Sequence, residues 1–299
     1  MKQTQKQRRN RAQKFRRDIL SNIGPLIIFI IHTAFLLLPL LWMVLTSFKG
    51  LYDFSENVLG LPEKWLFSNY SDALKNMVIP VGGRKVYMEE MLLNSFVYVV
   101  SYTVMPLLGN CFVAYACAKY KSKFGAIVYN LVIFMMIFPV IGNLSSALNA
   151  ARIIKTYDNI IWASIMNCTF KGTNFLIFYA VFKGISWEYA EAALIDGAGH
   201  FTIMVRIMLP MAASTIGALA ITTVIGTWND WNTPLVWFPS HPTIAYGLYH
   251  YSNVSGGNTM AGVPIQFAAA TMSAIPMVLI FIIFRKKIIG NVSFGGLKG

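Results

Sequence analysis

Charge is scarce in this chain of 299 residues. Only 12% are Asp, Glu, Lys or Arg, about half the usual share of roughly 25% in soluble domains. Acids are the scarcer kind, 12 against 25 basic residues, and none falls near the middle of a long apolar run. Proton- and ion-coupled carriers generally place ionisable groups inside the membrane, so this absence argues against that form of coupling. No G-x-x-x-x-G-K-[ST] occurs, which excludes a P-loop. The three cysteines (Cys111, Cys117, Cys168) and four histidines (His32, His200, His241, His250) lack metal-site spacing, so no metal site is expected. Neither a nucleophile–base pair nor a metal set is visible, which removes the basis for an enzyme. No internal repeat or coiled coil is present.

Apolar residues fill the space that charge leaves. They make up 56% of the chain, and the mean hydropathy is +0.55. Six stretches are long enough to cross a hydrocarbon core about 30 Å thick: Gly24–Phe48, Met91–Ala118, Phe124–Leu148, Asn159–Phe182, Leu209–Asn229 and Val263–Phe284. The expected fold class is all-α, a polytopic membrane protein with six transmembrane helices. The longest loop, Lys49–Glu90, reads as a turn followed by a short amphipathic segment around NYSDAL.

Basic residues set the expected orientation. With both termini inside, six spans put residues 1–23, 119–123, 183–208 and 285–299 in the cytoplasm. Those segments hold 17 Lys or Arg and 4 acids, and the rest of the chain holds 8 of each. The whole net charge of +13 then lies on one side, as the positive-inside bias requires. The basic run Lys2–Arg17 could suggest nucleic acid. Beside a transmembrane span it reads instead as an orientation signal and a contact for anionic lipid, and no nucleic-acid partner is expected. The apolar run that follows is too long for a cleaved signal peptide and ends without an A-x-A-like site.

Between two apolar runs lies a polar segment, EYAEAALIDGAGHFTIMVRIMLP (Glu188–Pro210). Ser186 can cap a short helix whose first turns carry Glu188 and Glu191, where acids favour the positive helix end. Ala190, Ala192 and Ala193 add helix propensity without bulk, so another surface can approach closely. Asp196-Gly197 ends the helix, and Pro210 marks a bend or a new start.

This segment resembles the "EAA loop" of binding-protein-dependent ABC importers, in Glu191, Ala192, Ala193, Gly197, Ile207, Leu209 and Pro210, with Asp196 and Ala198 matching the sugar-importer version. LLPLLWMVLTSFKG (Leu37–Gly50), TWNDWNTPL (Thr227–Leu235) and the terminal GGLKG (Gly295–Gly299) are similar to the second, six-span permease subunit of the maltose-type carbohydrate family. The resemblance implies a type I importer fold and a division of the chain into four parts. These are a basic cytoplasmic tail (1–23), a first helix with a long external loop (24–90), a five-helix core (91–285) with its coupling loop at 184–210, and a cytoplasmic tail (286–299). It implies that Glu188, Glu191, Ala192, Ala193, Asp196, Gly197, Ala198, Leu209 and Pro210 meet an ATPase, and that Leu297 and Lys298 touch it as well. Implied partners are a second permease subunit, two copies of an ABC ATPase, an external solute-binding protein and a sugar. ATP and Mg would sit on the ATPase, with no cofactor on this chain, in a bacterial-type plasma membrane. The basic N-terminal extension is longer than the resemblance leads one to expect.

For the solute path, the fourth span offers Asn167, Thr169, Lys171, Thr173 and Asn174. The fifth offers Thr222, Thr223, Thr227, Trp228 and Asn229, followed by Asp230. Amides, hydroxyls and aromatic faces suit a sugar, although such residues also serve as polar contacts between membrane helices. A permease for a non-sugar or glycerol-phosphate-like solute, and a channel or secondary carrier, remain as alternatives.

Overall fold

Residues 2–120, 122–138, 142–166, 172–253 and 262–292 are described by a computed structural model, with side chains placed between residues 23 and 285. The chain opens with a long helix, α1 (Lys2–Thr46). From Ile23 to Thr46 it is strongly apolar and none of its most apolar window is buried. Its far end alone is fastened, by an edge-to-face contact of Trp42 with Phe267 at 5.2 Å and a bond from Trp42 Nε1 to Val58 O. Two short helices follow, α2 (Leu51–Glu56) and α3 (Ser68–Asn76), the latter covering the NYSDAL segment. Lys49 is fully buried beneath them. Its ammonium is satisfied by the carbonyls of Asn57 and Val58, and Asn69 Nδ2 donates to Ser47 O and Lys49 O at 2.8 Å each.

The expectation of an all-α chain needs one correction. Strands β1 (Val78–Val81) and β2 (Arg84–Tyr87) form an antiparallel hairpin in the register Val78↔Tyr87, with Val81 facing Arg84 across a two-residue turn. That turn is Gly82-Gly83, with φ of +52° and +86°, angles that glycine adopts freely and that match the twist of a hairpin. The cross-strand pair Ile79 and Val86 is buried.

Helix α4 (Met88–Lys119) is the hub. Glu89 and Glu90 occupy its first turn and Lys119 its last, the favourable arrangement of charge on the helix dipole. Around it in chain order come α5 (Lys123–Ile137), α6 (Leu144–Ile153), α7 (Ile160–Met166), α8 (Gly172–Gly184), α9 (Glu188–Ile195) and α10 (His200–Ile203). A π-helical turn, Met204–Met208, leads into α11 (Leu209–Met211), α12 (Ala213–Trp228), α13 (Asn232–Trp237), α14 (Ile244–Asn253) and α15 (Val263–Val292). Pro210 has no N–H for the carbonyl four residues back, so the ladder widens there and α11 breaks from α12. The two limbs meet at 72°.

Among the described residues three helices are long and apolar enough to cross a membrane, Ile23–Thr46, Met88–Lys119 and Val263–Arg285, and the bent pair His200–Met211 with Ala213–Trp228 makes up to four. The expected third span is not a single helix. Helix α5 has 15 residues, which rise about 22 Å, and it is separated from α6 by Gly142 at φ +81°. Helices α7 and α8 flank residues 167–171, which lie outside the described residues.

Among the described residues, three apolar clusters hold the bundle, the smallest formed by Tyr98, Tyr102, Ile160, Ala163 and Phe238. At the hairpin end, Met77, Ile79, Val86, Met88 and Met91 pack with Trp228, Ile244 and Ala268. At the α9 end, Cys111, Ala114 and Tyr115 of α4 meet Phe175, Phe178 and Phe182 of α8, with Ala190, Ile203 and Met208 closing the cluster. All three phenylalanines are fully buried. Phe178→Ala should therefore cost about 3–5 kcal/mol, whereas Phe281→Ala, at a side chain 54% exposed on α15, should cost little. Thermal unfolding of the two purified variants checks this, and equal losses would contradict the placement of α8.

Candidate functional site

The polar segment folds as expected, and its geometry explains each residue. Helix α9 begins after Trp187, and the Ser186 hydroxyl accepts the Glu188 N–H at 3.3 Å. It ends in a Schellman motif, in which Gly197 N donates to Leu194 O at 3.0 Å and Ala198 N to Ala193 O at 2.9 Å. Gly197 sits at φ +82°, the left-handed cap that favours glycine. A Cβ on Gly197 would meet nothing within 4 Å, so the requirement at this position is conformational, not steric.

One face of α9 is bolted down and the opposite face is bare. Ala190 is fully buried against the Phe182, Ile203 and Met208 cluster. Glu188, Ala192 and Ile195, at i, i+4 and i+7, share the opposite stripe and are exposed, Ile195 by 86%. Glu191 is exposed on the flank, where it lines a groove of about 940 Å³ with Lys119, Ser122, Lys183 and Trp187. Asp196 is exposed, and Ala193 and Ala198 are half-buried. Leu209 packs on the same cluster and Pro210 faces outward.

The mount itself is tied to the end of α4. Lys119 Nζ donates to Ile185 O. Tyr120 Oη lies 3.1 Å from His200 Nδ1, and the Tyr120 ring meets Trp187, Tyr115 and His200 edge-on. The Tyr120–His200 pair escaped the sequence reading, because 80 residues separate them and neither belongs to a motif.

At the other end of α4 a pocket of about 330 Å³ opens between α4, α12 and α13. Tyr98 and Tyr102 come from α4, Thr223, Gly226 and Thr227 from α12, and Asp230, Thr233 and Trp237 from the corner beyond. Asp230 organises the corner. Its Oδ1 accepts the N–H groups of Asn232 and Thr233 at 3.0 Å each, and its Oδ2 accepts the Tyr98 hydroxyl at 2.8 Å. Thr223, Thr227 and Asp230 recur at helical spacing, so one polar stripe runs along an otherwise apolar helix.

Of the residues expected on the solute path, Thr227 lines this pocket. Trp228 does not: its ring is buried in the hairpin-end cluster and its Nε1 donates to Ser273 O at 3.1 Å. Asn229 is exposed, with its amide bonded back to Ile225 O at 2.8 Å. Thr173 is exposed and Asn174 half-buried on α8, and neither lines the pocket. Asn167, Thr169 and Lys171 lie outside the described residues, as do Leu297 and Lys298. Tyr98, Tyr102 and Trp237 were missed, although the i, i+4 spacing of the two tyrosines marks one face of α4. Among the described residues no cluster of His, Cys, Asp or Glu could hold a metal.

Comparison with known proteins gives this geometry a family. Permease NgcG of a diacetylchitobiose uptake system of Streptomyces coelicolor is 27% identical over 281 residues, covering 91% of this chain and 87% of its own length. The trehalose/maltose transport permease MalG of Thermococcus litoralis is 25% identical, covering 95% and 99%. A solved bacterial ABC transporter involved in importing the acidic polysaccharide alginate shares the fold at TM-score 0.74 and 20% identity, covering 90% of this chain and 96% of the solved one. The model for "Binding-protein-dependent transport system inner membrane component" matches residues 109–292, more than half the chain and inclusive of α9 and the pocket's α12 wall. The chain therefore belongs to that family, as a membrane-embedded transport subunit and not an enzyme.

Proposed function

We propose that this chain is the transmembrane permease subunit of an ATP-driven sugar importer, that it forms half of the translocation path, and that it receives the ATPase stroke through α9. The observation that carries the reading is the two-faced construction of α9: a bare stripe of Glu188, Ala192 and Ile195 on a helix whose opposite side is anchored by the fully buried Ala190. A solvated isoleucine on a short helix gains about 2 kcal/mol when a partner groove covers it. Small neighbours at Ala192 and Ala193 allow close approach, and Glu188 and Glu191 can accept charge-assisted bonds from the partner.

The relatives' names support sugar as the substrate, since one belongs to a diacetylchitobiose system and another to a trehalose/maltose system. A non-sugar or glycerol-phosphate-like solute is the second reading, and it is favoured only by the chain's low identity to those relatives. A channel or secondary carrier would leave α9 without a purpose. In this reading a solute-binding protein delivers the sugar, a second permease subunit completes the path, and two ABC ATPase copies bind ATP and Mg. The exposed length of α1 suits lipid or the second permease. Asn167, Thr169, Lys171, Thr173 and Asn174 are proposed to face the path, and Leu297 and Lys298 to touch the ATPase.

The topology proposed is six crossings in the inner membrane, with α5–α6 serving as a broken crossing and α7 and α8 lying in the fourth. Both termini and the α9 loop face the cytoplasm, as the basic residues favour. Ala190 is too buried to report on this, whereas Ile195→Cys on a cysteine-free background is well placed. It should resist an impermeant thiol reagent in intact cells and react in inverted vesicles stripped of the ATPase. Labelling from outside would sink the six-span arrangement.

Coupling is tested at Gly197. A β-branched side chain at φ +82° is strained by about 1–3 kcal/mol, so Gly197→Val should lose copurifying ATPase or solute-stimulated ATP hydrolysis. Gly197→Asn, which tolerates the left-handed region, should retain most of both. If Val behaves like the wild type, α9 is not the transmission element. If Asn fails as badly as Val, bulk against the partner, and not backbone strain, sets the requirement.

A further inference from the structure

Among the described residues, the pocket beneath the hairpin end carries a carboxylate with no cation in its lining. Asp230 is its acid, and the remainder of its lining is phenol, hydroxyl and indole, with no Lys, Arg or His among the described residues. The three groups that hold Asp230, namely the Tyr98 hydroxyl and the N–H groups of Asn232 and Thr233, are all neutral. They fix the carboxylate in place without cancelling its charge. Among the described residues, Arg152 near that end lies over the Tyr157 ring at 4.8 Å. Arg84 pairs with Glu90 at 2.8 Å and also donates to Ser240 O, and His241 lies 3.8 Å from Asp158.

From this arrangement we infer that Asp230 is a charge filter that fits the path to uncharged saccharides and turns away uronate-, sulfonate- or phosphate-bearing ones. The inference rests on the reading of this pocket as part of a sugar path. A neutral sugar can donate its hydroxyls to the Asp230 carboxylate and exchange hydrogen bonds with Thr223, Thr227 and Thr233, while Trp237 offers a ring for its C–H face. A uronate brings a second carboxylate to within a few ångströms of the first in a partly desolvated site, where like charges repel far more strongly than in water. The shared fold does not decide the matter, since the solved relative handles an acidic polymer. The local charge does.

The test uses the assembled importer in lipid nanodiscs without its binding protein, so that selection by that protein cannot intervene. Saturation-transfer NMR is recorded with maltotriose and with trigalacturonate. Wild type should contact maltotriose and bind trigalacturonate at least about tenfold more weakly, a difference of about 1.4 kcal/mol. Asp230→Asn keeps the side-chain oxygen that accepts the two N–H groups, and it should bring the two probes close to parity. Asp230→Glu keeps the charge and should keep the discrimination, which guards against a variant that merely misfolds. Equal binding of both probes by wild type would overturn the filter while leaving the sugar reading intact, as would occur if Lys171 reached the pocket. Unchanged discrimination in Asp230→Asn would overturn it too. Failure of wild type to contact either probe would overturn the sugar path as well.

Discussion

The packing of α8 against α4 is the constraint on which the rest depends. Phe175, Phe178 and Phe182 are buried to the last atom against α4, and they are followed within a few residues by the turn that presents α9. In a membrane the hydrophobic effect does not drive helices together, so close packing and satisfied polar groups carry the association. The same cluster takes in Ala190, Ile203 and Met208. The loop helix is therefore an extension of the α4–α8 core and not an appendage to it.

This has a consequence for how force could travel. Helix α4 lines the polar pocket with Tyr98 and Tyr102 and, 21 residues further along, holds the α9 mount through Lys119 and Tyr120. That is a rod of about 32 Å. Helix α12 supplies a second connection, since its C-terminal end carries Thr223 and Thr227 and leads to Asp230, and its N-terminal end follows the π-turn and Pro210 from the element that bears His200. A push on the bare face of α9 thus has two routes to the pocket, the first passing Pro106 within α4. The 72° break before α12 is the point along the second route where bending costs least, because Pro210 has already removed a backbone hydrogen bond there.

Much of this was legible in the sequence, and the reasons for the rest are physical. Helix α9 and its glycine cap followed from local chemistry, since Ala propensity, early acids and a left-handed glycine act within one turn of chain. Apolar length marked α1, α4 and α15, but it could not mark where a span is interrupted. The break after α5 falls at Gly142, whose positive φ no measure of hydropathy records. The hairpin was overlooked although Val-Gly-Gly-Arg between alternating residues is a turn signal, because a long loop had been read only for helix. The family was recognised from residues Glu191 to Pro210, and the match over residues 109–292 agrees with it. The pocket was half seen. Thr227 belongs to it and Trp228 does not, since the two are adjacent on a helix and face different ways. Tyr98 and Asp230 meet across 132 residues, a contact that no spacing rule predicts.

The central claim is that α9, α4 and the pocket move as one body while the ATPase acts on the exposed face of α9. Spin labels at Tyr189, which is 53% exposed on the flank of α9, and at Phe96, which is 66% exposed on α4, report on it directly by pulsed dipolar spectroscopy in the assembled importer. Their separation should stay within the width of its own distribution between the nucleotide-free and the ATP–vanadate-trapped states. Over the same change, the distance from Tyr189 to a label on the second permease subunit should shift. A change in the Tyr189–Phe96 distance as large as the intersubunit shift would mean that α9 moves on a flexible tether, and would contradict the account.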